Sequence, residues 1–167
     1  MAGQNVRMMQ TIHIDGIPLQ REIISWECPP PKEKSASIAG SFIEGDQRTG
    51  VEKMTAKIVA KGLHSWVLNM VGRKAGQPVT VIVKESWEDE DGELTAIQEF
   101  WTGRIATRER SGGVVGEQPE DTLNFSLDEA KRIVNGIQEW HVSRKASICD
   151  LGDGDILAKH RTNVGMF

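Results

Sequence analysis

One helix stands in a chain that otherwise reads as strands. From Gly62 to Gly72 the sequence runs GLHSWVLNMVG, with Leu63, Trp66, Val67, Met70 and Val71 at i, i+3, i+4, i+7 and i+8. That spacing is one apolar face of a 3.6-residue period, and His64, Ser65 and Asn69 fall on the other side. Gly72, followed by Arg73 and Lys74, suits a helix end, where a left-handed residue and cations are favoured. A helix this short does not hold in water alone, so it must lie on the strands around it. The chain is therefore predicted to be mainly β: an antiparallel β-sandwich or open barrel with one packed α-helix, as a single domain over residues 1–167.

The strands follow from alternation and turns. Ile12 and Ile14 oppose Thr11 and His13, and Asp15-Gly16 is a hairpin pair. Ile17 to Glu27 returns as one strand whose parity changes near Arg21–Ile23, which suggests a bulge. Cys28-Pro29-Pro30-Pro31 ends it, since prolines cannot donate to a ladder. Val51–Lys61, Val79–Trp87, Glu93–Thr107, Thr122–Val134 and Ile137–Ile148 read as further strands, about seven in all. Asn135-Gly136 is the strongest hairpin signal among them. Residues 1–9 and 156–167 are predicted to be terminal arms, the latter a polar tail ending in an apolar pair. Residues 32–50 are predicted to form an extended loop, and a loop this long in a compact domain points either to function or to disorder. Ile38, Phe42 and Ile43 within it need something to bury them, and a neighbouring subunit is one candidate.

Composition narrows the function. The net charge of −4 argues against a surface that grips nucleic acid. Cys28 and Cys149 are far apart and in no metal spacing, so they read as two reduced thiols. Met1–Gln10 lacks the apolar segment of an export signal, and no run is long enough to span a membrane. The acidic turn at Glu88–Gly92 fails as a calcium loop, because Trp87 and Gln98 would occupy its first and last ligand positions. The Asp150–Asp155 turn fails similarly, with Cys149 at its head. Ser111-Gly112-Gly113 lacks the lysine and the helix of a phosphate cradle. His13, His64, His141 and His160 sit on four different elements, and no nucleophile motif accompanies them. The reading is a non-enzymatic protein without cofactor or metal.

The tail carries a more specific signal. Lys159-His160-Arg161-Thr162-Asn163-Val164-Gly165 resembles the His-Arg-x-Asn-Ile/Val-Gly ending of the major tail tube proteins of contractile-tailed phages and R-type pyocins. Ile14-Asp15-Gly16, the helix at Leu63–Gly72, Pro119-Glu120-Asp121-Thr122 and the Asn-Gly pair occur in the same order as in that family. The resemblance implies a barrel-like subunit that forms hexameric rings stacked into a tube inside a contractile sheath. It implies baseplate and tail terminator proteins at the tube ends, a tape measure protein in the lumen, and passage of DNA or ions without specific binding or stable membrane insertion. It places the protein in the virion tail or a tail-like particle, made in the host bacterial cytoplasm. On this reading Ile38, Phe42, Ile43 and Arg48 contact neighbouring subunits, and His160, Arg161, Asn163 and Val164 contact the next ring. Asp128 and Glu139, on the strands of the Asn-Gly hairpin, are the candidates to face the lumen, where a basic wall would hold phosphates.

Two other readings compete. A type VI secretion-like tube would share the rings but carry effector proteins. A monomeric ligand-binding β-barrel would need a large cavity, which the five tryptophans could line; the alternative is that Trp26, Trp66, Trp87 and Trp140 fill one core.

Overall fold

The computed structural model describes residues 5–40 and 42–166. The first four residues of the expected arm, Ser41 of the expected loop and Phe167 of the apolar pair lie outside them. In chain order the elements are β1 (Val6–Ile14), β2 (Ile17–Leu19), β3 (Ile23–Glu27), β4 (Glu33–Ile38), β5 (Gly45–Val51), β6 (Thr55–Lys61), α1 (Ser65–Asn69) with a 3-10 turn at Met70–Gly72, β7 (Val79–Glu88), β8 (Leu94–Arg110), β9 (Glu120–Val134), β10 (Ile137–Ser143), β11 (Ile148–Asp150) and α2 (Ala158–Asn163).

The mainly β, antiparallel architecture is as predicted, with more pieces. β2-β1-β7-β8-β9-β10-β11 form one path of neighbours, and β6 joins β9 and carries β3. Both short turns form as expected: Asp15 and Gly16 have φ of 50° and 83°, and Asn135 and Gly136 have 49° and 80°. Residues 6–9 are not an arm. They pair with β7 across a bulge between Arg7 and Met9, and that bulge breaks the alternation that would have revealed the strand. The predicted strand Ile17–Glu27 divides near its expected bulge, β2 staying on β1 while β3 crosses to β6.

The long β8–β9 hairpin builds the two layers. One edge of β9 is shared: residues Glu120–Ser126 pair with β6, and residues Glu129–Val134 pair with β10. The register of β8 on β9 slips between Thr102 and Gly103, leaving Asp128 as an extra residue. A Cβ at Gly103 would lie 2.2 Å from the Ser126 carbonyl oxygen, so only glycine lets the strands approach there. Around this bend, Ile12, Ile14, Val81 and Val83 come to share one core with Ala56, Ile58, Ala60, Leu123 and Phe125. Trp101 is fully buried at the centre, 5.6 Å from the Trp26 ring and 6.3 Å from Phe125. Side chains close the open side, where Trp26 Nε1 on β3 donates to Gln10 Oε1 on β1 at 3.1 Å. Four of the five tryptophans thus fill or pack against the interior. Trp101 and Trp140 belong to the core and Trp26 and Trp66 pack against it, while Trp87 stays half-buried and stacks on Arg7.

The predicted helix lies on this core through Leu63, Val67 and Met70. Its end differs from expectation. The left-handed glycine is Gly62 at the entry, with φ 64°, whereas the exit tightens into the 3-10 turn and leaves through an extended Arg73. Arg73 then ties the helix to the first turn, 2.5 Å from Asp15. α2 was not expected. It buries no residue and has no side-chain cap, so neither periodicity nor capping marks it in the sequence.

Candidate assembly surfaces

The expected loop at 32–50 is a β-hairpin. Among the described residues β4 and β5 pair only with each other, as a separate two-stranded sheet. Every residue of β4 is exposed, so no alternation exists to betray it. Its own side chains brace it: Ser35 Oγ donates to Asp46 Oδ2 at 2.8 Å, Thr49 Oγ1 to the Lys34 carbonyl at 3.0 Å, and Arg48 lies 2.7 Å from Glu33. The base is pinched where the Glu52 N–H donates to the Lys32 carbonyl at 2.8 Å. Ile38, Phe42 and Ile43, singled out from sequence, gather at the far end. Phe42 is fully exposed and Ile43 is 79% exposed, an apolar knob held out in water.

A cleft of about 640 Å³ opens at the other end of this hairpin. Its floor is apolar: Met54, Leu127, Val142, Ile148, Ile156 and Leu157. Its rim holds Arg48, Glu52, Lys53, Asp128, Arg144 and His160. Three residues assigned from sequence to three different surfaces, Arg48, Asp128 and His160, therefore meet here. Sequence reasoning missed the cleft as a whole because five separate segments build it.

The remaining tail residues divide. Arg161 is engaged within the chain, 2.6 Å from Asp155 and donating to the Ser147 carbonyl at 2.6 Å. Asp155 also accepts from the backbone of Cys149 and Leu157, each at 3.0 Å. Burial pushes this carboxyl up, but those bonds and Arg161 outweigh it and hold it below the usual range. Arg161 thereby anchors α2. Asn163 and Val164 are exposed, Val164 by 71%.

Asp128 and Glu139 line different hollows. Each is the extra residue of a bulge, where alternation no longer reports which face a side chain takes. Asp128 lies at the cleft, 2.8 Å from Arg144. Glu139 lies 2.7 Å from Arg132, in a hollow with Trp87, Ile97, Val134 and Ile137. That hollow marks the sheet end opposite the first turn, where Val6, Leu94 and Ile137 are also well exposed.

Under the hollow lies a charged cluster that sequence did not suggest. Glu85 is buried, 2.5 Å from Arg7, and accepts from Trp87 Nε1 at 3.0 Å. Arg7 sits between the rings of Trp26 and Trp87. Glu99 is 1% exposed and accepts from Trp101 Nε1 at 3.0 Å and Arg132 at 2.8 Å. Burial raises its carboxyl above the usual range despite those bonds. Burial likewise pushes the Cys28 thiol up, with Glu99 adding to it, which leaves it a packing residue rather than a nucleophile.

The model of the family described as phage tail tube protein FII matches residues 6–165, from the first strand to the end of the tail signature. The chain belongs to the phage tail tube protein FII family. It is a structural subunit of a tail tube, and a component of a tail or tail-like particle. Among solved structures it is similar to a chain of an extracellular contractile injection system, the PVC sheath–tube complex in its extended state. The TM-score is 0.56 at 6% identity, over 75% of this chain and 88% of that one. At that identity the likeness speaks to the fold alone. None of the curated proteins compared with this tail tube subunit matches it in sequence.

Proposed function

We propose that this subunit assembles into hexameric rings that stack as the inner tube of a contractile tail or tail-like bacteriocin, within a sheath. The observation that carries the reading is the β4–β5 hairpin, which projects Phe42 and Ile43 into water from a body whose core is already complete. An exposed apolar knob on a braced arm has a partner surface elsewhere, and in a tube that surface belongs to another copy. The similar fold within a sheath–tube complex supports a surrounding sheath as the second partner. Baseplate, terminator and tape measure proteins would complete the particle. The exposed Asn163 and Val164 and the apolar sheet end at Val6, Leu94 and Ile137 are the further contacts through which rings would stack. A chain with net charge −4 suits a conduit along which DNA or ions pass without being held. Negative-stain electron microscopy of the purified protein across a concentration series tests the reading. Rings or hollow tubes are expected, and single particles at every concentration would refute it.

A further inference from the structure

We propose that the charged cluster beneath the hollow takes up a proton when the next ring covers that end of the sheet, so that stacking depends on pH. This deepens the tube reading and rests on it, through the contact assigned above to Val6, Leu94 and Ile137. Glu99 on β8 faces Glu85 from β7, Arg132 from β9 and Cys28 beyond β3. Arg7 from β1 pairs with Glu85, and Glu139 from β10 pairs with Arg132 at the mouth. The Cys28 thiol, pushed up by burial, stays neutral. Three carboxylates, Glu85, Glu99 and Glu139, thus meet two guanidinium groups, Arg7 and Arg132, and the fully ionised cluster keeps one negative charge in excess. Hydrogen bonds do not dissipate it. Glu85 Oε1 and Arg132 Nε are buried, and although each lies within an ion pair, neither makes a hydrogen bond among the described residues. An uncompensated buried charge is costly, and a single proton removes it. The group placed to accept that proton is Glu99, at 1% exposure the most buried of the three. Burial, with Glu85 adding to it, already holds this carboxyl above its usual range despite Trp101 and Arg132. In the free subunit the cluster is still screened through its mouth, where the Glu139 side chain is 53% exposed and that of Arg132 28%. A ring seated on this end removes that screening and raises the Glu99 pKa further. The contribution to stacking is therefore fully present below the free-subunit value and is lost as pH rises through the stacked value. Both values lie above the ordinary carboxylate range.

Sedimentation of the full chain over a series from about pH 5 to pH 9 tests this. The threshold concentration for tube formation should rise with pH, by up to about tenfold per pH unit where each added subunit takes up one proton. Assembly in weakly buffered solution should consume that proton, read directly by a pH-stat. Glu139→Gln leaves two carboxylates against two guanidinium groups, and the exposed side chain carries no core packing. It should flatten the rise and abolish the uptake. Glu99→Gln removes the same charge from the inside and should do likewise. Glu109→Gln changes the net charge equally, but it is exposed and about 33 Å along β8 from Glu99 at roughly 3.3 Å per residue, so its rise should match the parent's. A rise that survives both cluster variants, or assembly without proton uptake, overturns the linkage and leaves the tube reading standing. A parent that stays dispersed at every pH overturns both.

Discussion

Gly103 occupies the point where the β8–β9 hairpin bends, and the space a side chain would need there is filled by backbone. A Cβ would sit 2.2 Å from the Ser126 oxygen and 2.8 Å from the Leu127 Cα, and neither can rotate aside. Gly103→Ala should therefore cost about 1–3 kcal/mol, read as a lower urea midpoint. Gly112→Ala, where nothing lies within 4 Å, should leave the midpoint unchanged. Glu99 makes a pH-dependent prediction. Burial raises its folded-state pKa above the unfolded value, so the folded chain holds a proton that the unfolded chain releases. Its contribution to stability is fully present below the unfolded carboxylate range and is lost as pH rises through the raised value. Other carboxylates, Asp155 among them, act in the opposite sense, so the quantity to measure is the difference between the parent and Glu99→Gln. That difference should fall with rising pH across the window. A flat difference would mean that Glu99 titrates alike in both states.

Among the described residues the β4–β5 hairpin shares no ladder with the main sheet, and its two ends meet where Glu52 bonds to Lys32. Replacing residues 33–50 with a short glycine turn should leave the melting temperature within about 4 °C of the parent while abolishing assembly, as calorimetry and sedimentation would report. A large fall in melting temperature would make the hairpin part of the core instead. α2 depends on one side chain. Arg161→Ala should cost roughly 1.5 kcal/mol and speed amide exchange across residues 148–164, with the rest of the sheet unchanged. These two elements are also the ones the sequence concealed. Turns such as Asp15-Gly16 and Asn135-Gly136 are legible because backbone chemistry fixes them locally, and β6 and β7 because one face of each is buried. β4 is exposed on both faces and α2 buries none, so hydrophobic periodicity has nothing to record. At the candidate site, Phe42 and Ile43 stand out as apolar residues in a polar stretch. The cleft does not, because Met54, Leu127, Ile148 and Leu157 each read as ordinary residues until the fold gathers them.

The assembled chain can be tested by poisoning it. If one copy's knob enters a different surface on the next, a subunit with a ruined knob still offers an intact receiving surface. Phe42→Asp places a charge where an apolar ring is exposed on the free subunit, so its fold should be unaffected. Alone, it should stay dispersed well above the parent's threshold concentration. Mixed in small proportion with the parent, it should be accepted at a growing end and then fail to reach the next position, so mean tube length falls as its fraction rises. A symmetric pairing, in which the same patch meets itself, predicts otherwise. Both partners would need the knob, the variant would be excluded, and the parent would build tubes of unchanged length from the remaining copies. Electron microscopy of tube lengths over a series of mixing ratios separates the two. A length distribution indifferent to the variant would remove the head-to-tail contact from the description of this tube.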